Sequence, residues 1–369
     1  MKKTVLITGG AGFIGSHTAD ALNRQGYKIR ILDNLTPPTH QKPQWPAYVL
    51  GRGFELIKGD VCDRRILAKA LHGVDFVFHF AAYQDQRQDF SRFFKVNTLS
   101  SALLYELIAE NKFPIKKIIL ASTQFVYGDG KYSCPHSKKE FFPELRTLKA
   151  LKIGDWSIKC PHGSPAKFIP FKEDQKLTPT NSYGLSKQAL ENLGLRFGKT
   201  YGIPTTVLRY SIVQGPRQSP HNLYSGAMRI FASQSLAGVP ITVYEDGQET
   251  RDFINIEDVV RANLLTLKNP KTNFETFNVG GGRSYRVIDF AKLVKKISRS
   301  PSSLLIGAFR RTDTRHAVSN ISKIKKLGWS PRRNTEYSIK TYFEWFTKGG
   351  FNKKLHAKDL VKLQEGIHI

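Results

Sequence analysis

The sequence predicts an α/β fold in which a doubly wound parallel sheet is followed by a smaller C-terminal unit. Three observations carry this expectation. Short β-branched runs alternate with longer amphipathic stretches through the first half of the chain, and strands separated by helices need crossover connections, hence a parallel sheet covered on both faces. The first run leads directly into a glycine-rich turn and a helix start, Thr4-Val-Leu-Ile-Thr-Gly-Gly-Ala-Gly-Phe-Ile-Gly15. The 369 residues, 40 % of them apolar, suffice for one large unit or two closely joined ones.

In chain order, the expected strands are residues 4–8, 28–33, 54–58, 75–80, 117–122 and 205–210, each a short run rich in Val, Ile, Leu or Phe. Between them, residues 93–111 and 183–201 read as amphipathic helices, the second stopped by Gly202-Ile-Pro204. Residues 131–180 are rich in Lys, Pro and His and only weakly periodic, so they read as an insertion between the fifth strand and the next helix. Beyond residue 211 the texture turns loop-rich, with Gly215-Pro216 and Gly280-Gly-Gly282. The expected division is therefore 1–210 for the sheet domain with its insertion, 211–345 for the smaller unit and 346–369 for a loosely packed tail.

The chain has 57 basic and 30 acidic residues, a net charge of +27. Residues 1–130 carry 17 basic and 11 acidic side chains, so most of the surplus lies in the second half. Such a surplus attracts polyanions or simply solvates the surface. A nucleic-acid-binding module is the alternative of another class, but no basic–aromatic interleaving supports it, and no nucleic-acid partner is expected. No apolar stretch is long enough to cross a membrane, and the run after Lys2-Lys3 is too short for a signal peptide. Three cysteines are too few for a disulfide framework. The expected compartment is the reducing cytoplasm.

Gly9 and Gly12 allow a tight turn and close approach to a pyrophosphate, Gly15 allows the helix to pack on the strand, and the helix N-terminus offers N–H donors. The acid this pattern requires is present. Asp33 ends the second strand, 18 residues past Gly15, where a carboxylate accepts hydrogen bonds from a ribose diol and repels a 2′-phosphate. The pattern favours NAD over NADP. Asp60, after the third strand, is placed to meet the adenine amine.

Tyr183-Gly-Leu-Ser-Lys187 sets a phenol and an ammonium on one helix face. A nearby cation lowers a phenol pKa and fits tyrosine for general-base work. Ser122 and Thr123 end the fifth strand, where ligands of a parallel sheet lie, and are expected to face the crevice. The expected catalytic residues are Thr123, Tyr183 and Lys187. No catalytic metal is expected.

Together, Thr8–Gly15, His79-Phe-Ala-Ala82, Asn97, Ser122-Thr123, Val126-Tyr-Gly128 and Tyr183-x-x-x-Lys187 resemble the extended short-chain dehydrogenase/reductase family over roughly residues 1–345. Within it, Leu208-Arg-Tyr210, Gly215-Pro-Arg-Gln218 and Arg251-Asp-Phe253 resemble the nucleotide-sugar epimerase/dehydratase group. The insertion and residues 218–226 are similar to a branch that includes dTDP-L-rhamnose 4-epimerase. The resemblance implies a Rossmann-like NAD domain, a smaller nucleotide-sugar-binding domain and a homodimer. It places NAD against Gly9, Gly12, Phe13, Ile14, Gly15, Asp33, Asn34, Asp60, Val61, Phe80, Ala81, Ala82, Asn97, Ser122, Tyr183, Lys187 and Tyr210. It places the substrate against Thr123, with Arg251 and Arg315 on its diphosphate. His79 reads as a core or strand-end residue.

The implied activity is 4-epimerisation of a nucleotide sugar through a transient 4-keto intermediate, the alternative being a dehydratase or reductase of the same family. Dehydratases of the group carry Asp and Glu after the strand-end threonine. Here Gln124 and Phe125 stand instead, which disfavours elimination of water. Ile212 and Gln214 also replace the asparagine and tyrosine frequent in the family. Cys134-Pro-His136 and Cys160-Pro-His162 echo one another across the insertion. They contain ligand types suited to structural zinc at a spacing tighter than the usual Cys-x2-Cys, and no metal is assigned from them.

Overall fold

A computed structural model describes residues 2–85, 88–220 and 226–349. The expected tail therefore lies almost wholly outside the described residues, as do residues 221–225 of the 218–226 motif.

Seven parallel strands form the central sheet: β1 (Thr4–Thr8), β2 (Lys28–Asp33), β3 (Glu55–Lys58), β4 (Phe76–His79), β5 (Lys117–Thr123), β6 (Thr205–Tyr210) and β7 (Glu275–Val279). Their order is β7-β6-β5-β4-β1-β2-β3. The chain runs outward through β2 and β3, then crosses back to β4 on the other side of β1. A crevice therefore opens at the carboxyl ends of β1 and β4, where this sheet type binds ligands. Two apolar layers cover the sheet. Val5, Ile7, Phe78 and Ile119 face one and Leu6, Val77, Ile118 and Leu120 the other, the period-two alternation of a sheet buried on both faces.

The first six strands lie within a residue or two of their expected bounds. β7 is the difference. The unit expected over 211–345 is not continuous, because the helix Ile256–Lys268 packs on the helix Phe13–Arg24 and β7 then pairs with β6. The return is stitched by polar contacts: the Tyr210 hydroxyl donates to Asn263 (2.7 Å), whose amide donates to Thr18 (3.0 Å). The remaining C-terminal elements enclose a separate core around Phe231, Phe253, Phe290 and Tyr342. Residues 131–180 leave the sheet after β5. They hold three short antiparallel strands, Lys131–Ser133, Glu140–Phe141 and Lys167–Ile169, and the helix Leu148–Lys152.

One buried ion pair fixes the helix Ser182–Thr200 against the sheet. Arg209 on β6 donates twice to Glu191 on that helix, Nε to Oε1 at 3.0 Å and a terminal nitrogen to Oε2 at 2.7 Å. Both side chains are almost fully enclosed. The Ser122 hydroxyl on β5 donates to Glu191, and Arg209 also donates to the Tyr127 hydroxyl (2.7 Å). Removing one partner strands a buried charge. Glu191→Ala should therefore cost about 3–5 kcal/mol in urea unfolding. A loss below about 1 kcal/mol, the range of a surface pair, would show that the pair is not a structural anchor.

Candidate functional site

The larger cleft, about 540 Å³, opens over the β1–β4 crevice. Its floor is the turn after β1. Gly9 has φ +66°, and a Cβ there would lie 2.7 Å from the Ala81 nitrogen. A Cβ on Gly15 would meet the Gly9 carbonyl oxygen at 2.4 Å, so the helix Phe13–Arg24 sits on this turn only because residue 15 is glycine. That helix has Gly12 as its N-cap and no side-chain cap, and Gly12, Phe13, Ile14 and Gly15 line the cleft. Its first N–H groups form a ready anion cradle. Asp33 stands at the far end, accepting from the Ala11 (3.0 Å) and Leu35 (2.9 Å) nitrogens. Burial raises its pKa, while those two N–H groups and His40 favour the carboxylate. Asn34 donates to Asp60 (3.3 Å), which also accepts from the Cys62 nitrogen (2.8 Å). Diphosphate cradle and ribose-binding carboxylate thus fit a dinucleotide.

The helix Ser182–Thr200 is capped by Asn181, which accepts from the Gly184 nitrogen at 2.8 Å. It presents Tyr183 and Lys187 to the cleft. Lys187 is buried and donates to the Ala121 carbonyl at 2.9 Å, and its nitrogen lies 6.0 Å from the centre of the Tyr183 ring. Burial pushes the ammonium down to about 8, against the attraction of Glu191. Burial pushes the Tyr183 phenol up, and the Thr123 hydroxyl, which donates to it, opposes that shift. The expectation is that a nearby ammonium lowers this phenol; in the protein alone burial is the larger effect and the net direction is upward.

A second cavity of about 250 Å³ adjoins the cleft and shares Tyr183, Ser122 and Tyr210 with it. Thr123 and Phe125 line one wall, Ile212, Val213, Ile230 and Phe231 another, and Arg251 and Arg310 supply positive charge. A molecule in the large cleft and a second in the small one would meet at Tyr183.

The NAD-dependent epimerase/dehydratase family model matches residues 5–150 and 157–280. The chain belongs to this family. It is 29 % identical to the dTDP-L-rhamnose 4-epimerase of Burkholderia thailandensis over 94 % of this chain and 95 % of that one. It is also 29 % identical to a putative UDP-glucose 4-epimerase of Methanocaldococcus jannaschii, over 92 % and 97 %. Among solved structures, the UDP-glucose 4-epimerase of Thermotoga maritima with UDP-glucose superposes with a TM-score of 0.77 at 30 % identity, covering 94 % of this chain and 99 % of that one. The UDP-glucuronic acid 4-epimerase of Bacillus cereus, bound to a fluorinated UDP-sugar and NAD, gives 0.77 at 25 % identity, covering 94 % and 100 %. The cofactor of this epimerase/dehydratase chain is NAD.

Every expected NAD contact lines the large cleft except Asn97. Asn97 is buried in the π-helical turn Phe94–Leu99. It accepts from the Tyr83 nitrogen (2.8 Å) and donates to the Tyr83 carbonyl (3.1 Å) and the Ser186 hydroxyl (2.9 Å). With its amide saturated by protein, it braces the Tyr83 loop against the Tyr183 helix and does not touch the cleft. Ser122 reaches the cleft, but its hydroxyl is turned to Glu191. His79 is buried between the hydroxyls of Thr8 (3.0 Å) and Ser100 (3.1 Å), and burial lowers it to about 3. It is a neutral core residue.

The diphosphate role expected for Arg315 meets a different arrangement. Its guanidinium donates to Glu245 (2.6 Å) and to both oxygens of Asp246 (2.7 and 2.9 Å), and it lines neither cavity. Its carbonyl instead accepts from Arg251 (3.1 Å). Arg310 of the same basic run is the one that reaches the small cavity, where it also donates to the Tyr244 hydroxyl (2.5 Å). Arg229, on the helix Ala227–Ala237, also went unmarked in the sequence and lines the large cleft. Burial lowers it to about 9. The only sequence signal for Arg229 is that it is the one charged residue of the helix Ala227–Ala237.

Asp33→Ala should weaken NAD by about tenfold or more, since it removes the ribose acceptor and leaves two N–H groups without their partner, and should narrow the preference over NADP. Calorimetric titration of both dinucleotides checks this. Unchanged NAD affinity would contradict the cofactor assignment of Asp33.

Proposed function

We propose that this chain is a nucleotide-sugar 4-epimerase that oxidises the sugar C4 hydroxyl and reduces the resulting ketone from the opposite face. The reading takes dTDP-L-rhamnose or a UDP-sugar as substrate, as in the named relatives. Its main support is the hydrogen-bonded Thr123–Tyr183 pair standing where the two cavities meet.

The diphosphate of the substrate is read as held by Arg251 and Arg310, whose guanidinium forks suit two-point contact. Arg315 acts through Arg251, holding the loop by its internal ion pairs. The sugar then lies against Thr123 and Tyr183. Tyr183 accepts the C4 hydroxyl proton, and Thr123 donates to the phenol oxygen so that the negative charge is borne at lower cost. Lys187, a cation at neutral pH, favours the same charge. NAD, held by the residues of the large cleft, would supply the hydride acceptor and donor and a positive charge that favours a phenolate. The apolar wall of Ile212, Val213, Ile230 and Phe231 offers the 4-keto ring few polar anchors, so it can turn its other face while the diphosphate stays fixed. Tyr183 then returns the proton.

Elimination of water has less support. Phe125 lines the small cavity and carries no proton, while Gln124 is buried and lines neither cavity. The same reading takes the enzyme to be a cytoplasmic homodimer. All three cysteines are free, no helix among the described residues is long and apolar enough to cross a membrane, and neighbouring helices expose Leu99, Leu185 and Phe197.

Incubation with dTDP-L-rhamnose and a panel of UDP-sugars, without added cofactor, should yield a C4 epimer by NMR. Tyr183→Phe should lower turnover by about 100- to 10,000-fold while the protein still purifies with NAD. Near-normal turnover in that variant would remove Tyr183 from the proton transfer.

A further inference from the structure

We propose that the insertion holds a structural zinc ion between Cys134, Cys160 and His162. One ligand atom from each of these residues lies within 4.8 Å of the others, and Cys134 Sγ is 3.3 Å from His162 Nδ1. These are the separations of thiolates and imidazole around a tetrahedral ion with metal–ligand bonds of about 2.0–2.3 Å. Both cysteines are buried and unbridged, whereas His162 faces solvent. Sulfur and imidazole without a carboxylate select zinc over the hard cations.

The backbone around the sulfurs supplies an independent argument, because each Cys-Pro-His segment folds back on its cysteine in a tight turn, the first one residue longer than the second. Cys134 pairs with Lys139 through its nitrogen (2.9 Å), and its carbonyl accepts from Lys138 (3.0 Å). Cys160 closes a turn one residue shorter, its nitrogen donating to the Ser164 carbonyl (2.8 Å) and its carbonyl accepting from Gly163 (2.8 Å). Lys138 and Gly163 both take left-handed backbone, φ +59° and +80°. The Ser137 nitrogen points at Cys134 Sγ (3.4 Å), a contact that favours thiolate over thiol. Only one of the two tight Cys-x-His pairs, Cys160 and His162, then has to share the ion. One turn gives sulfur alone, the other gives sulfur and nitrogen, and His136 is instead hydrogen-bonded to Ser164 (2.8 Å).

A metal here would serve the small cavity from a distance. The insertion has only three short strands and a five-residue helix, and an ion would add a cross-link to the apolar contacts that hold it on the main body. Between the two cysteines the chain carries Arg146, which donates to Glu245 (2.7 Å), the Asp313 carbonyl (2.8 Å) and the Trp156 carbonyl (3.2 Å). Trp156 packs on Phe309, ring centres 5.6 Å apart. These contacts back the segment that carries Arg310 and Asp313 into the small cavity. Joining Cys134 to Cys160 through an ion closes the loop that holds Arg146 in place.

The test is metal analysis of the full-length protein, grown with zinc and passed through metal-free gel filtration. Expected are one zinc per chain in the wild type, at least a fivefold loss in Cys134→Ser and Cys160→Ser, and an intermediate loss in His162→Ala. Retained NAD in each variant shows that it is folded. Refilling the chelated wild type with cobalt(II) should give thiolate charge-transfer absorption that both serine variants lack. A wild type that holds neither zinc nor cobalt while its NAD is intact, or a Cys134–Cys160 disulfide in its peptide map, would overturn the proposal. Because metal content is read without turnover, the result does not depend on the epimerase assignment.

Discussion

The bidentate contact between Arg209 and Glu191 sets the relation between the sheet and the helix that carries Tyr183 and Lys187. Glu191 lies on that helix, eight residues beyond Tyr183, so its position fixes the helix along the strands. Ser122, the residue before Thr123, binds the same carboxylate. Strand end and helix start are therefore referenced to one buried charge. The Thr123–Tyr183 hydrogen bond and the Lys187–Ala121 contact follow from that registration. Two buried charges are costly unless paired and hydrogen-bonded on every side. Here the guanidinium also reaches Tyr127 and the Glu173 carbonyl, so the anchor is well satisfied.

From this anchor the electrostatics of the site take shape. Enclosure works against charge on the phenol, on the ammonium of Lys187 and on the guanidinium of Arg229. The protein alone thus presents a tyrosine that resists ionisation, a cation whose charge is only moderately secure and one hydroxyl aimed at the phenol. A low-dielectric pocket magnifies whatever charge enters it, so such a site responds strongly to a positively charged cofactor and weakly to bulk solvent. That is suited to chemistry in which the proton moves only once the crevice is filled.

The sequence made the dinucleotide cleft legible because the turn, the helix start and the strand-end acid are local in the chain and each has a stereochemical reason. The same holds for Tyr183 and Lys187, which one helical turn brings together. Failures arose where the deciding partner is remote. Arg315 resembles a phosphate clamp until Glu245 and Asp246, some 70 residues earlier, are seen to occupy it. Asn97 looks like a cofactor ligand until Tyr83 and Ser186 claim its amide. β7 was hidden in a loop-rich stretch, since its place in the sheet depends on the helix Ile256–Lys268 crossing back first. The doubled Cys-Pro-His was visible, but only folding shows that its halves contribute unequally.

The central claim is that hydride leaves C4 and returns to the same carbon within one enclosed site. The most direct measurement is epimerisation of a turned-over nucleotide sugar in D2O by purified protein with no added cofactor, with NMR observation of C4. The account predicts an epimer that keeps protium at C4, with no lasting absorbance from reduced cofactor. Deuterium at C4 of the product, or reduced cofactor accumulating in step with substrate loss, would contradict it.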